Sequence, residues 1–135
     1  ATLSLIQVFG DWGDLKQVIN FCVVCCGAHS IVWPVNTSGF SVSTDEERLQ
    51  GMQLVMDQTA GRITAVLGVQ GESGHQAAIF SRQAQKLWAN GVIAMAPYVQ
   101  ELEDECAVEH YYQAIDKEVE VPFLFRIMHR LVFFR

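Results

Sequence analysis

Apolar residues in this chain follow two alternating patterns. Short continuous runs (LSLIQVF, SIVWPV, ITAVLGV, GVIAMAP and VPFLFRIM) separate longer stretches in which apolar positions recur every three or four residues. Short unbroken apolar runs suit strands buried on both faces, and the longer spacing suits amphipathic helices. The first strand is expected at about 3–9. From Asp14, the residues Leu15, Val18, Ile19, Cys22, Val23 and Cys26 share one helical face, with Asp14 placed to cap and Gly27 to terminate. A second helix is signalled by Thr44 and Glu47, which stand at the spacing of a capping box, and Gly61 should stop it. The third follows GESGH, with Ala78, Phe80, Ala84, Leu87 and Trp88 on its apolar face. A fourth, YVQELEDECAVEHYYQAIDKEVE, carries acids at its front and Lys117 near its back, the polarity that suits a helix dipole.

Gly27, Gly61, Gly91 and Pro122 punctuate these pairs roughly every thirty positions, close to the length of one helix-plus-strand unit. Strict alternation of strand and helix implies an α/β fold with a parallel sheet and right-handed crossovers. The expected architecture is a parallel βα repeat of five strands and four helices. The last segment, HRLVFFR, is compatible with a sixth strand, an extension of the fifth, or a segment that pairs with another chain.

The 135 residues fit one domain, 1–135, well short of the ~250 typical of a closed eight-stranded barrel. Half of them are hydrophobic, which implies a large core, a buried interface or both. A net charge of -6, with nine scattered Lys and Arg, leaves no electrostatic footprint for nucleic acid. No apolar run approaches the ~20 residues of a membrane span. A soluble, cytoplasmic protein is the expectation.

Four cysteines, Cys22, Cys25, Cys26 and Cys106, include a C-x-x-C pair, but Cys22 and Cys25 fall inside an apolar helical stretch, so they read as small buried hydrophobes in a reducing compartment rather than a metal or redox site. His29 alone does not complete a zinc site. No metal and no cofactor are expected.

In parallel α/β folds ligands bind at the C-terminal ends of the strands, which singles out Asn36 to Phe40, Gln70 to Ser73, Pro97 to Gln100 and Arg126 to His129. Asn36, Thr37, Ser38 and Gly39 bring an amide, two hydroxyls and a flexible backbone to one strand end. That combination suits a carboxylate or a proton relay, although the same residues also make an ordinary turn. His75 reads as a partly exposed residue at the start of helix three. His110, Tyr111 and Tyr112 read as an aromatic cluster with its polar tips at the surface, and Glu101, Glu103, Asp104 and Glu105 as a solvated helix start.

An ordered set of motifs is more specific. An apolar helix and A-H-x-I-V lead into strand two, followed by a strand-end loop like G-T-T-G-E and an S/T-x-E-E-R helix start. A-G-R-[IV]-x-V at strand three, a turn into strand four and a strand-end P-Y come next. From about Asp14 to Phe125 the chain resembles the dihydrodipicolinate synthase and N-acetylneuraminate lyase family, class I aldolases built as (β/α)8 barrels. The resemblance implies a Schiff base between a lysine late in the barrel and pyruvate or another 2-keto acid. It places Thr37 in the proton relay, Ser38 at the keto acid's carboxylate with Asn36 and Gly39 beside it, and Tyr98 at the first tyrosine of a strand-four pair.

The departures are informative. Phe40 stands where the family motif often has Glu, Val99 where many members have the second tyrosine, and Arg126 where many have the acid/base tyrosine of strand five. The family's lysine lies on strand six, whereas Lys16, Lys86 and Lys117 all fall on helices among polar neighbours. A half-barrel that keeps the keto-acid loop and lacks the nucleophile is therefore expected to be inactive alone. Its uncovered edges and inner face call for association as a homodimer or larger oligomer, or for rearrangement into an open sheet. The alternatives are a self-associating scaffold without catalysis and a small carboxylate-binding module.

Overall fold

The computed structural model describes residues 2–4, 12–35, 42–96, 105–127 and 130–133. They form two compact units, Ala1–Leu67 and Gly68–Arg135, whose boundary falls inside the third strand. Parallel strands alternate with four helices in chain order, as the hydrophobic pattern predicts.

The first unit contains β1 (Thr2–Ser4), α1 (Trp12–Val24), β2 (Ser30–Trp33), α2 (Asp45–Thr59) and β3 (Thr64–Gly68). β1 pairs parallel with β2, and β2 with β3, so that Ile31 lies opposite Ala65 and Trp33 opposite Leu67. All four of these side chains are buried, while Val32 and Val66, on the other face, are half-buried. The Trp33 ring lies against Gly51 of α2, which assigns the buried face to the helices. Leu15, Ile19 and Cys22 of α1 and Met52, Leu54 and Val55 of α2 are buried with them.

Helix ends follow local chemistry. Thr44 accepts from the Glu47 N–H (3.2 Å) while the Glu47 carboxylate accepts from the Thr44 N–H (2.8 Å), so the predicted capping box is formed. α2 stops where Ala60 and Gly61 both turn left-handed, at φ 44° and 71°. α1 begins at Trp12, two residues earlier than expected, which puts Asp14 in its first turn and not at its cap. The acid still faces the positive end of the helix dipole there. Gly27 (φ 59°) turns the chain, and the Ala28 N–H reaches back to the Cys22 carbonyl at 3.3 Å.

The second unit contains α3 (Gly74–Lys86), β4 (Gly91–Met95), α4 (Glu105–Asp116), β5 (Phe123–Ile127) and β6 (Arg130–Phe133). β4 and β5 pair parallel, with Ile93 opposite Leu124. β6 runs antiparallel to β5, which ends the all-parallel pattern expected from alternation. Only residues 128 and 129 separate β5 from β6, and a parallel return needs a crossover of about a dozen residues.

Trp88 departs from its expected place on the apolar face of helix three and is 82% exposed. α3 has already ended. Trp88 takes φ 59°, its N–H bonds the Gln85 carbonyl (3.1 Å), and the Ala89 N–H bonds that of Ala84 (3.1 Å). This is a Schellman ending with tryptophan in the position that usually holds glycine.

Candidate functional site at the strand ends

Of the four strand-end segments, Gln70–Ser73 is described throughout. Asn36, Thr37, Ser38 and Gly39, with Phe40, lie outside the described residues, as do Tyr98 and Val99. Arg126 pairs opposite Met95 in the β4–β5 ladder. At the end of β2 the chain passes through a cis peptide between Trp33 and Pro34, and Pro34 is buried.

Beyond β3 the backbone is held donor by donor. The Val69 N–H donates to the Ile93 carbonyl (2.9 Å), the Gly71 N–H to the Tyr111 hydroxyl (2.9 Å) and the Glu72 N–H to Gln76 Oε1 (2.7 Å). The Ser73 hydroxyl accepts from the Gln76 N–H (3.3 Å) and caps α3. A phosphate cradle would aim such N–H groups at a ligand. Here the protein itself takes the Gly71 and Glu72 N–H groups, so these two donors hold the segment in place. Gly71 is required by crowding, because a Cβ there would come within 2.9 Å of the Ala77 nitrogen and Gln76 Oε1. Gln70 places a carboxamide at the end of β3 with only 1% of its surface exposed.

Tyr111 ties α4 to this segment. It is 4% exposed, and its hydroxyl accepts from the Gly71 N–H and donates to the Gly71 carbonyl at 3.3 Å. Its polar tip is therefore inside, correcting the expectation that the tips of this cluster lie at the surface. A buried phenol needs a hydrogen-bond partner, and Gly71 supplies it. Tyr112 is half-buried, with its ring edge-on to Tyr111 (5.4 Å between centroids) and tilted against Phe123 (5.9 Å). Burial pushes its phenol above the ordinary range. His75 and His110 are both exposed.

Lys16, Lys86 and Lys117 are exposed, on α1, at the end of α3 and just past α4. None stands at a strand end. Among the described residues no three His, Cys, Asp or Glu side chains group closely enough to hold a metal ion, and no helix is long and apolar enough to cross a membrane. Cys25, Cys26 and Cys106 are exposed and only Cys22 is buried, which corrects the reading of the cysteines as small core residues. α1 ends at Val24, so Cys25 and Cys26 lie past the helical face that the spacing assigned to Cys26.

Comparison with known proteins agrees with this architecture. The profile of the Dihydrodipicolinate synthetase family matches residues 11–128. A 4-hydroxy-tetrahydrodipicolinate synthase from Caldicellulosiruptor bescii is 30% identical over 121 residues, covering 84% of this chain and 38% of that protein. The N-acetylneuraminate lyase of Mycoplasma synoviae superposes with a TM-score of 0.87 at 22% identity, covering 94% of this chain and 46% of the lyase. A dihydrodipicolinate synthase from Acinetobacter baumannii, complexed with pyruvate, superposes at 0.83 with 21% identity and covers 97% and 46%. At these identities the two solved structures speak for the fold, a partial (β/α) barrel. The chain spans less than half the length of each of the three.

Proposed function

This chain belongs to the dihydrodipicolinate synthetase family, and on that premise we propose that residues 1–135 form one half-barrel domain of a Schiff-base lyase. In this reading the segment after β2 holds the carboxylate of a pyruvate-like 2-keto acid through Ser38, with Asn36 and Gly39 shaping the loop. Thr37 relays a proton and Tyr98 closes the site from the end of β4. The family match, continuous from residue 11 to residue 128, carries the proposal. The Gln70–Ser73 segment and the Tyr111 strap suit it, because a strand-end site needs a fixed floor beneath its side chains.

The chemistry divides between binding and bond-making. A nucleophilic amine must be desolvated or placed beside another cation to lose its proton at neutral pH. Lys16, Lys86 and Lys117 are exposed to water and none is such an amine, so in this reading the strand-end residues bind and orient the keto acid and the amine that forms the Schiff base comes from elsewhere. Pyruvate and borohydride supplied to the 135-residue chain should leave its mass unchanged. A stoichiometric covalent adduct on any of the three lysines would overturn this division of labour. Binding without reaction should appear as heat on titration with pyruvate, lost in Ser38→Ala.

A second reading rests on half-buried aliphatic strand positions, Val32 and Val66 in the first unit and Ile93, Met95 and Leu124 in the second. On this reading the chain self-associates through these positions and acts as a scaffold without catalysis. The keto-acid reading stands ahead of it because it also accounts for the ordered motif match.

A further inference from the structure

In the second unit, register brings two polar residues to one level at the ends of neighbouring strands. Val92, opposite Phe123, donates its N–H to the Pro122 carbonyl (3.0 Å), one residue before its partner. The Val69 N–H donates to the Ile93 carbonyl (2.9 Å) in the same way, so Val69 stands opposite Ala94. Gly68 is then level with Ile93, and Gln70 with Met95. Ile93 is in turn opposite Leu124, and Met95 opposite Arg126. Two rows therefore cross this part of the sheet: Gly68, Ile93 and Leu124, then Gln70, Met95 and Arg126.

Alternation sets these rows apart from the helix-facing positions, since Val69, Val92 and Ala94 are fully buried whereas Ile93, Met95 and Leu124 are half-buried. The lower row is apolar. The upper row lies at the C-terminal ends of the strands, where this class of fold binds its ligands. It sets a glutamine and an arginine on either side of a methionine, about 10 Å apart at the backbone, since neighbouring strands are spaced by about 4.8 Å. The chain at Gln70 is fixed from both sides. Val69 is held by the Ile93 carbonyl, and the Tyr111 hydroxyl takes the Gly71 N–H (2.9 Å) and donates to the Gly71 carbonyl (3.3 Å). Gln70 itself is 1% exposed. A carboxamide held in place and out of water is preorganised for recognition.

We infer that Gln70 and Arg126 hold a second carboxylate, so that the keto acid taken by this chain is a dicarboxylate whose far end lies over Met95. The inference rests on the keto-acid reading above and names the substrate class of that site. Arg126 brings the charge and a fork of N–H donors that matches a carboxylate. The Gln70 amide adds a further donor, and the Met95 thioether gives the ligand's methylenes an apolar floor. One guanidinium at this level, in a chain of net charge -6, suits a singly charged carboxylate and not a doubly charged phosphate. Tyr111 is a positioning residue for Gln70 and acts through Gly71.

Calorimetry on the 135-residue chain tests this with pyruvate, 2-oxoglutarate and 2-oxopentanoate. The last two share a five-carbon chain and differ only in the terminal group, carboxylate or methyl. 2-Oxoglutarate should bind about tenfold or more tighter than 2-oxopentanoate, the scale of a charge-assisted hydrogen bond. That ratio should fall toward one in Arg126→Gln and in Gln70→Leu, with circular dichroism checking that each variant folds. A wild-type ratio near one while pyruvate still binds would overturn the dicarboxylate and leave the keto-acid reading standing. No heat with any of the three would remove both. A ratio unchanged in both folded variants would overturn the assignment to Gln70 and Arg126. The wild-type comparison needs no substitution and stays decisive if either variant misfolds.

Discussion

Single residues at the ends of elements carry much of the specificity of this fold. Trp88 holds φ 59° with most of its ring in water, and the left-handed region costs a side chain roughly 1–2 kcal/mol that glycine avoids. Part of the gain from glycine is lost to the freer unfolded chain. Trp88→Gly should therefore raise stability by about 1 kcal/mol, since the exposed ring contributes little packing. An unchanged or lower urea midpoint would show that the indole is held by something other than the helix ending. Tyr112 gives a prediction in pH. Its phenol is raised by burial, so between the unfolded value near pH 10 and the higher folded value the unfolded chain has released a proton that the folded chain keeps. Its contribution is fully present below about pH 10 and is lost as pH rises through the folded value. The alkaline limb of a stability–pH curve should flatten in Tyr112→Phe, and a limb of unchanged slope would count against burial as the cause.

Between elements, close approach outweighs surface charge. Asn20 of α1 donates to Gln58 of α2 (3.1 Å) and accepts from Arg62 (3.0 Å), while Arg82 and Glu118 pair at 2.9 Å with both side chains partly in water. Exposed ties of this kind are worth about 0–1 kcal/mol each. The contact of α2 with β2 is of another order. A Cβ on Gly51 would stand 2.1 Å from the tip of the Trp33 ring, which is itself 2% exposed. A contact that close forces the helix or the indole to shift, so Gly51→Ala should cost about 1–3 kcal/mol. Thermal unfolding measures it, and a loss below that of a typical surface substitution would mean that Trp33 has another rotamer available. Trp33 and Gly51 are eighteen residues apart in the chain, and nothing in the local pattern announces their contact.

Each unit by itself has a strand face away from its helices, with half-buried Val32 and Val66 on one and half-buried Ile93, Met95 and Leu124 on the other. Apolar surface of this kind favours association. Sedimentation velocity at micromolar concentration should show a dimer or larger species, and a single monomer boundary would remove the scaffold reading. The strand–helix alternation, the capping box at Thr44 and Glu47, and the family relationship were legible in the sequence because each depends on neighbours a few positions apart or on the order of motifs. The proposal of Asn36, Thr37, Ser38, Gly39 and Tyr98 as keto-acid residues rests on that motif order alone. Other features depended on contacts that one-dimensional spacing does not encode. A single apolar period placed Trp88 and Cys26 on buried faces, but α3 and α1 end before reaching them. Tyr111 could be read as aromatic packing, yet only the fold brings its hydroxyl to Gly71, forty residues away. The antiparallel turn of β6 needed the distance between β5 and β6. Composition and periodicity determined which segments become strands and helices. Where each element stops, and which polar atoms meet once it has stopped, was decided by tertiary structure, because burial and hydrogen-bond satisfaction are properties of the packed chain.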